Sequence, residues 1–111
     1  MTDKQYSFCI NEVKNYTDRD AYISDLSLSS IWGDAADSGI PSDRIDQLGI
    51  LYDADHRSVR DIAAVARLSQ RKLAERFCIP YRTVEDWCAG RRSCPDYVRM
   101  MMQECLGLLK R

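Results

Sequence analysis

A chain of 111 residues with 45% hydrophobic and 30% charged residues fits a folded, soluble domain, alone or with an ordered extension, and not a disordered segment. No apolar run approaches the roughly 20 residues needed to span a bilayer, and the start Met1-Thr2-Asp3-Lys4 does not lead from a basic region into an apolar one. Neither a membrane span nor a signal peptide is expected, and the expected location is the cytoplasm.

Residues 1–16 are ambiguous: Tyr6, Phe8 and Ile10 alternate as in a strand, whereas Val13 and Tyr16 suit a helix. Thr17-Asp18 offers an N-cap, and Ala21, Tyr22, Ile23, Leu26 and Leu28 follow at roughly helical spacing as far as Ile31-Trp32. Gly33 and residues 34–39 break this helix, and that loop is expected to be the most flexible point of the chain. A new helix starts near Ser42, with Ile45, Leu48, Leu51 and Tyr52 on one apolar face. Residues 53–56 read as a link to Ser58, which can cap a helix carrying Val59, Ile62, Ala63, Val65 and Ala66.

The stretch from Leu68 is more specific. Ser69 can cap a helix of about two turns over residues 70–77, with Leu73, Ala74 and Phe77 inward. Cys78-Ile79-Pro80 is a three-residue turn. Pro80 cannot continue the first helix and suits the start of the next. Residues 81–89 form that second helix, with Val84, Trp87 and Cys88 inward and Gly90 as its stop. Two short helices joined this way can lay the second in the major groove while the first crosses the backbone. Outward on the second helix are Tyr81, Arg82, Thr83, Glu85, Asp86 and Ala89. Arg82 can donate a bidentate pair to guanine, Tyr81 can touch a thymine methyl, and Thr83 can bond a base or phosphate. Asp86 can accept from cytosine or pair with Arg82. Gln70, at the first helix's N-terminus, can meet a phosphate, and Arg71, Lys72, Arg91 and Arg92 are cations suited to the backbone. A last helix restarts near Pro95, with Val98, Met101, Met102, Cys105, Leu106 and Leu109 apolar; it can close the core or form a dimer seam.

Charge divides the chain at the same place as pattern. Residues 1–55 hold four basic and eleven acidic side chains, and residues 56–111 hold twelve basic and six acidic ones, so that a net charge of −1 hides an acidic and a basic half. A basic half suits contact with phosphates; an acidic one is expected to face away from them or to contact a partner. The domains expected are an acidic helical extension over 1–55 and a DNA-binding domain over 56–111.

Residues about 58–106 resemble the Cro/C1-type (XRE-like) helix-turn-helix family of phage and bacterial repressors. The resemblance lies in Leu68-Ser69-Gln70, Lys72-Leu73-Ala74-Glu75, Ile79, Thr83-Val84, Trp87 and Ala89-Gly90-Arg91-Arg92. It implies an all-α fold, a compact helical bundle with a lambda-repressor-like helix-turn-helix, and dimeric binding to palindromic operators. It also implies that Gln70 and the start of the second helix carry most of the recognition. Cys78 stands where the family usually has glycine, so a non-glycine must adopt a left-handed conformation, and Pro80 stands where it usually has a capping serine.

The function expected is therefore sequence-specific transcriptional regulation, as a repressor of bacterial, phage or mobile-element type, by a homodimer on double-stranded DNA. The alternative is an antitoxin-like interaction module whose acidic half engages a protein partner. No enzyme is expected: there is one histidine, no glycine-rich phosphate loop and no nucleophile elbow. Five scattered cysteines, Cys9, Cys78, Cys88, Cys94 and Cys105, match neither a disulfide framework nor a zinc spacing, so reduced thiols, no metal and no cofactor are expected.

Overall fold

Capping side chains decide where this chain turns. In the computed structural model, which describes residues 1–33 and 39–109, Thr2 opens α1 (Asp3–Glu12) with a capping box: its hydroxyl accepts from the Gln5 N–H, and the Gln5 side chain returns the bond to the Thr2 N–H. Asp18 caps α2 (Arg19–Ser27), and α3 follows over Ser42–Asp55. Ser58 forms a second capping box with Asp61 on α4 (Val59–Ala66). Ser69 caps α5 (Gln70–Phe77), and α6 (Tyr81–Ala89) and α7 (Asp96–Cys105) complete the chain. The fold is all-α, with seven α-helices and no strand among the described residues.

The chain separates into two compact units, one of residues 1–55 together with Leu109, the other His56–Leu108. The first is built around Tyr22, which is fully buried with Cys9, Val13, Leu26, Leu48 and Leu51. Its hydroxyl donates to the Cys9 carbonyl at 2.8 Å, and its ring lies between those of Tyr16 at 5.6 Å and Tyr52 at 5.4 Å. Burial, with Glu12 nearby, pushes the Cys9 thiol up to about 11, which keeps it protonated and inert. At the surface of this unit Arg19 grips Asp53 with two hydrogen bonds, at 2.9 and 3.2 Å.

Several sequence expectations fail in this unit. The ambiguous start is α1 followed by a 3-10 turn, Val13–Asn15, and the Thr2–Gln5 capping box favours the helix by satisfying N–H groups at its start. The helix expected to reach Trp32 stops at Ser27. Ser29 caps a separate 3-10 turn, Ser30–Trp32, and the Trp32 indole N–H donates to the Leu26 carbonyl at 2.7 Å, satisfying an end of α2. Residues 53–55, read as a link, belong to α3; Ala54 is buried and Asp53 is held by Arg19. Ile45, placed on the buried face, is exposed, and that face begins at Leu48. Residues 34–38, where most of the expected flexible loop falls, lie outside the described residues.

The second unit packs Val59, Ala63, Leu73, Ala74, Val84 and Met102 into one core; Val65 of α4 is exposed. Its four helices end alike. The amide of Leu68 bonds back to Ala63, Ile79 to Ala74, Arg91 to Asp86 and Leu108 to Gln103, at 2.8 to 2.9 Å. These bonds span five residues, as in a Schellman closure. Each requires a left-handed residue, which is glycine at Gly90 and Gly107 but Arg67 at φ 58° and Cys78 at φ 54° in the other two. α7 closes the core with Met102, against which Val98 and Leu106 also pack, and Met101, expected on its apolar face, is exposed, as is Tyr97. Gln103 of α7 is fully buried yet satisfied: its side chain accepts from Arg57 at 3.1 Å and donates to the Arg99 carbonyl at 3.3 Å. Arg99 in turn donates to the Arg57 carbonyl at 2.6 Å, tying α7 to the segment that leads into α4.

A left-handed residue with a side chain costs about 1–2 kcal/mol, partly offset by the lower unfolded-state entropy it enjoys over glycine. Cys78→Gly is expected to stabilise the protein by up to about 1 kcal/mol, read as a higher urea midpoint with unchanged slope. A lower midpoint would show that the Cys78 side chain contributes more than its backbone strain costs.

Candidate nucleic-acid interface

α5 and α6 pack on each other, and both on α4. The inner side of the pair is sealed by Leu73, Ala74 and Val84, all buried, with Phe77, Ile79, Tyr81 and Trp87 packed around them. Ala74 suits this position because its small side chain lets the neighbouring helices approach closely. The Ser69 hydroxyl accepts from the Lys72 N–H at 3.1 Å. At the other end Cys78 turns left-handed, and Pro80 opens α6 without a side-chain cap.

This leaves the first turn of α6 free to carry side chains outward. Arg82 is the most exposed of them, its side chain 83% accessible. Thr83 is half-buried. Tyr81 is half-buried too, and the Arg71 guanidinium lies over its ring at 4.2 Å, joining α5 to α6. Lys72 is exposed and pairs loosely with Glu75 at 3.8 Å. Gln70 is half-buried at the first position of α5, and Arg92 is exposed beyond α6.

Of the roles expected of Asp86, the structure shows the pairing with Arg82. The Asp86 side chain is 13% exposed and is engaged within the protein: Arg91 Nε donates to its carboxylate at 2.8 Å, and Arg82 Nε lies 3.6 Å away. Its backbone carbonyl also accepts from the Arg91 amide at 2.9 Å and the Arg92 amide at 3.3 Å. The Arg91 hydrogen bond holds the Asp86 carboxyl below the usual carboxylate range, against the upward push of burial, with the charges of Arg91, Arg82 and Arg92 adding to the effect. The Arg82 pairing was visible as an i, i+4 spacing. The Arg91 pairing was not, because it depends on the left-handed turn at Gly90.

The nine side chains selected from sequence, Gln70, Arg71, Lys72, Tyr81, Arg82, Thr83, Asp86, Arg91 and Arg92, all belong to the second unit. Of their internal contacts, the pairing of Arg82 with Asp86 was expected, and those of Arg71 with Tyr81 and Arg91 with Asp86 were not. Among the described residues no group of three or more His, Cys, Asp or Glu side chains is placed to hold a metal ion, and no helix is long and apolar enough to cross a membrane. No family model, curated protein or solved structure matches the chain.

Because Asp86 titrates low in the folded state, its contribution to stability is present above the ordinary carboxylate pKa of about 3.9 and is lost as pH falls through its folded value. Asp86→Asn is therefore expected to be less stable than the parent at pH 7, with the difference shrinking below about pH 4. Urea unfolding at both pH values checks this, and an equal difference at the two would show that the Arg91 contact carries no charge-dependent stabilisation.

Proposed function

We propose that the second unit binds double-stranded DNA sequence-specifically and that the protein is a transcriptional regulator, acting in the cytoplasm as a repressor of the Cro/C1-like type. The single observation that carries this reading is the 83% exposure of Arg82 on the first turn of a helix whose other side is packed against its predecessor. A rigid helix start offering a guanidinium suits the major groove, where guanine O6 and N7 accept a bidentate pair. Arg71, Lys72, Arg91 and Arg92 flank it with cations suited to phosphates, and the surplus of basic residues after residue 55 favours the encounter.

The roles divide as follows. Arg82 and Thr83 read base edges, with Tyr81 beside them as an apolar contact stiffened by Arg71. Gln70, Lys72, Arg91 and Arg92 meet the backbone. Asp86 works through its arginine partners: it orients Arg91 and limits the wandering of Arg82, which lowers the ordering cost when DNA arrives. A homodimer reading a palindrome follows from the resemblance, since two copies of so short a helix double the number of base pairs read.

Arg82→Ala is expected to cost about 1–3 kcal/mol on the preferred sequence and to relax discrimination at one base position per half-site. Arg91→Ala is expected to weaken binding to all sequences alike and to reduce the salt slope by about 0.9. An affinity ratio of preferred to random DNA that Arg82→Ala leaves unchanged removes Arg82 from base reading.

A further inference from the structure

Beside the start of α5 lies a recess of about 290 Å³, lined by Arg60, Gln70, Glu85, Cys88, Ala89 and Arg91. It is at the small end of the range for ligand pockets, about 300–1,000 Å³, so it suits a compact group rather than an extended small molecule. α4 supplies Arg60, α5 supplies Gln70, and α6 with its following turn supplies the rest. Arg60 sits on a different helix from every group expected to touch DNA.

The electrostatics favour an anion there. Two arginines, Arg60 and Arg91, line the recess against one carboxylate, Glu85, and Arg82 and Arg92 stand near enough to the neighbouring Asp86 for their charges to act on it. Asp86 is spent on Arg91 and Arg82. Arg60 is exposed, forms no ion pair with a carboxylate among the described residues, and its charge acts on the half-buried Cys88 thiol of the recess wall. Gln70 adds a side-chain amide and the positive end of the α5 dipole. Glu85 opposes an anion from one wall, which favours a singly charged group over a doubly charged one.

We propose that Arg60, Gln70 and Arg91 together seat one phosphodiester of the DNA backbone in this recess, so that Arg60 of α4 is a phosphate-binding residue. The proposal rests on the DNA-binding reading and deepens it: it gives that interface a third helix and fixes the register of α6 by a clamp that itself touches no base.

The test uses the full chain and two duplexes, one recovered by selection from a random pool and one of random sequence, titrated between 50 and 200 mM salt. Arg60→Ala is expected to flatten the salt slope by about 0.9 on both, so that the variant loses about 3.5-fold less affinity than the parent across that range. The preference between the duplexes should not change, and Arg60→Lys should restore most of the slope. In duplexes with single neutral methylphosphonate linkages, one position per half-site should make parent and Arg60→Ala bind alike. Arg60→Gln, which retains part of the side-chain stem, serves the same purpose if the alanine variant loses stability. A slope unchanged in Arg60→Ala and Arg60→Gln but flattened in Arg91→Ala overturns the role of Arg60 and leaves the DNA reading standing. A parent chain that binds neither duplex overturns that reading and this proposal with it.

Discussion

The arrangement of the second unit depends on a three-residue turn. Between Phe77 and Tyr81 the chain must reverse closely enough to bury Ala74 and Val84 in one core, and it does so by placing Cys78 at φ 54°. The amide of Ile79 then reaches the Ala74 carbonyl at 2.9 Å, and Pro80 fixes the direction in which α6 leaves. A longer turn would let α6 slide on α5, and the first turn of α6 would no longer stand out from the surface. The backbone strain at Cys78 is small against the burial it permits, since removing a buried side chain such as Leu73 costs about 2–5 kcal/mol.

Charge is organised on top of that packing. Arg91 and Arg82 share the Asp86 carboxylate, Arg71 is laid on Tyr81, and Lys72 reaches only loosely toward Glu75. Such pairs at the surface add little stability. Their effect is to restrict where long cationic side chains can go, and a cation already oriented loses less entropy on meeting a phosphate or a base. In the proposed function, affinity comes from the flexible cations and selectivity from the constrained ones.

Local punctuation made much of this legible in the sequence. Ser58, Ser69, Pro80 and Gly90 mark helix boundaries through chemistry within a few residues, and the observed ends of α5 and α6 coincide with the expected ones. The left-handed backbone at Cys78 and the missing side-chain cap at Pro80 were also readable, because each follows from a residue standing where another type usually does. What sequence left obscure is set by partners distant along the chain. Ile45 has helical spacing with Leu48 and Tyr52 yet lies outside the core, and Arg19, 34 residues away in sequence, holds Asp53 at the end of α3. Trp32 looked like helix continuation and instead turns back to cap α2. Arg60 drew no attention because an exposed arginine on a first helical turn is unremarkable until its neighbours from α5 and α6 are known.

In the proposed function the start of α6 reads duplex DNA as a two-fold pair, and selection of bound duplexes from a random pool at fixed salt puts this to the test. The expected outcome is enrichment of an inverted repeat whose half-sites lie about one helical turn, roughly 10–10.5 base pairs, apart. A pool that returns without any enriched sequence would rule this reading out.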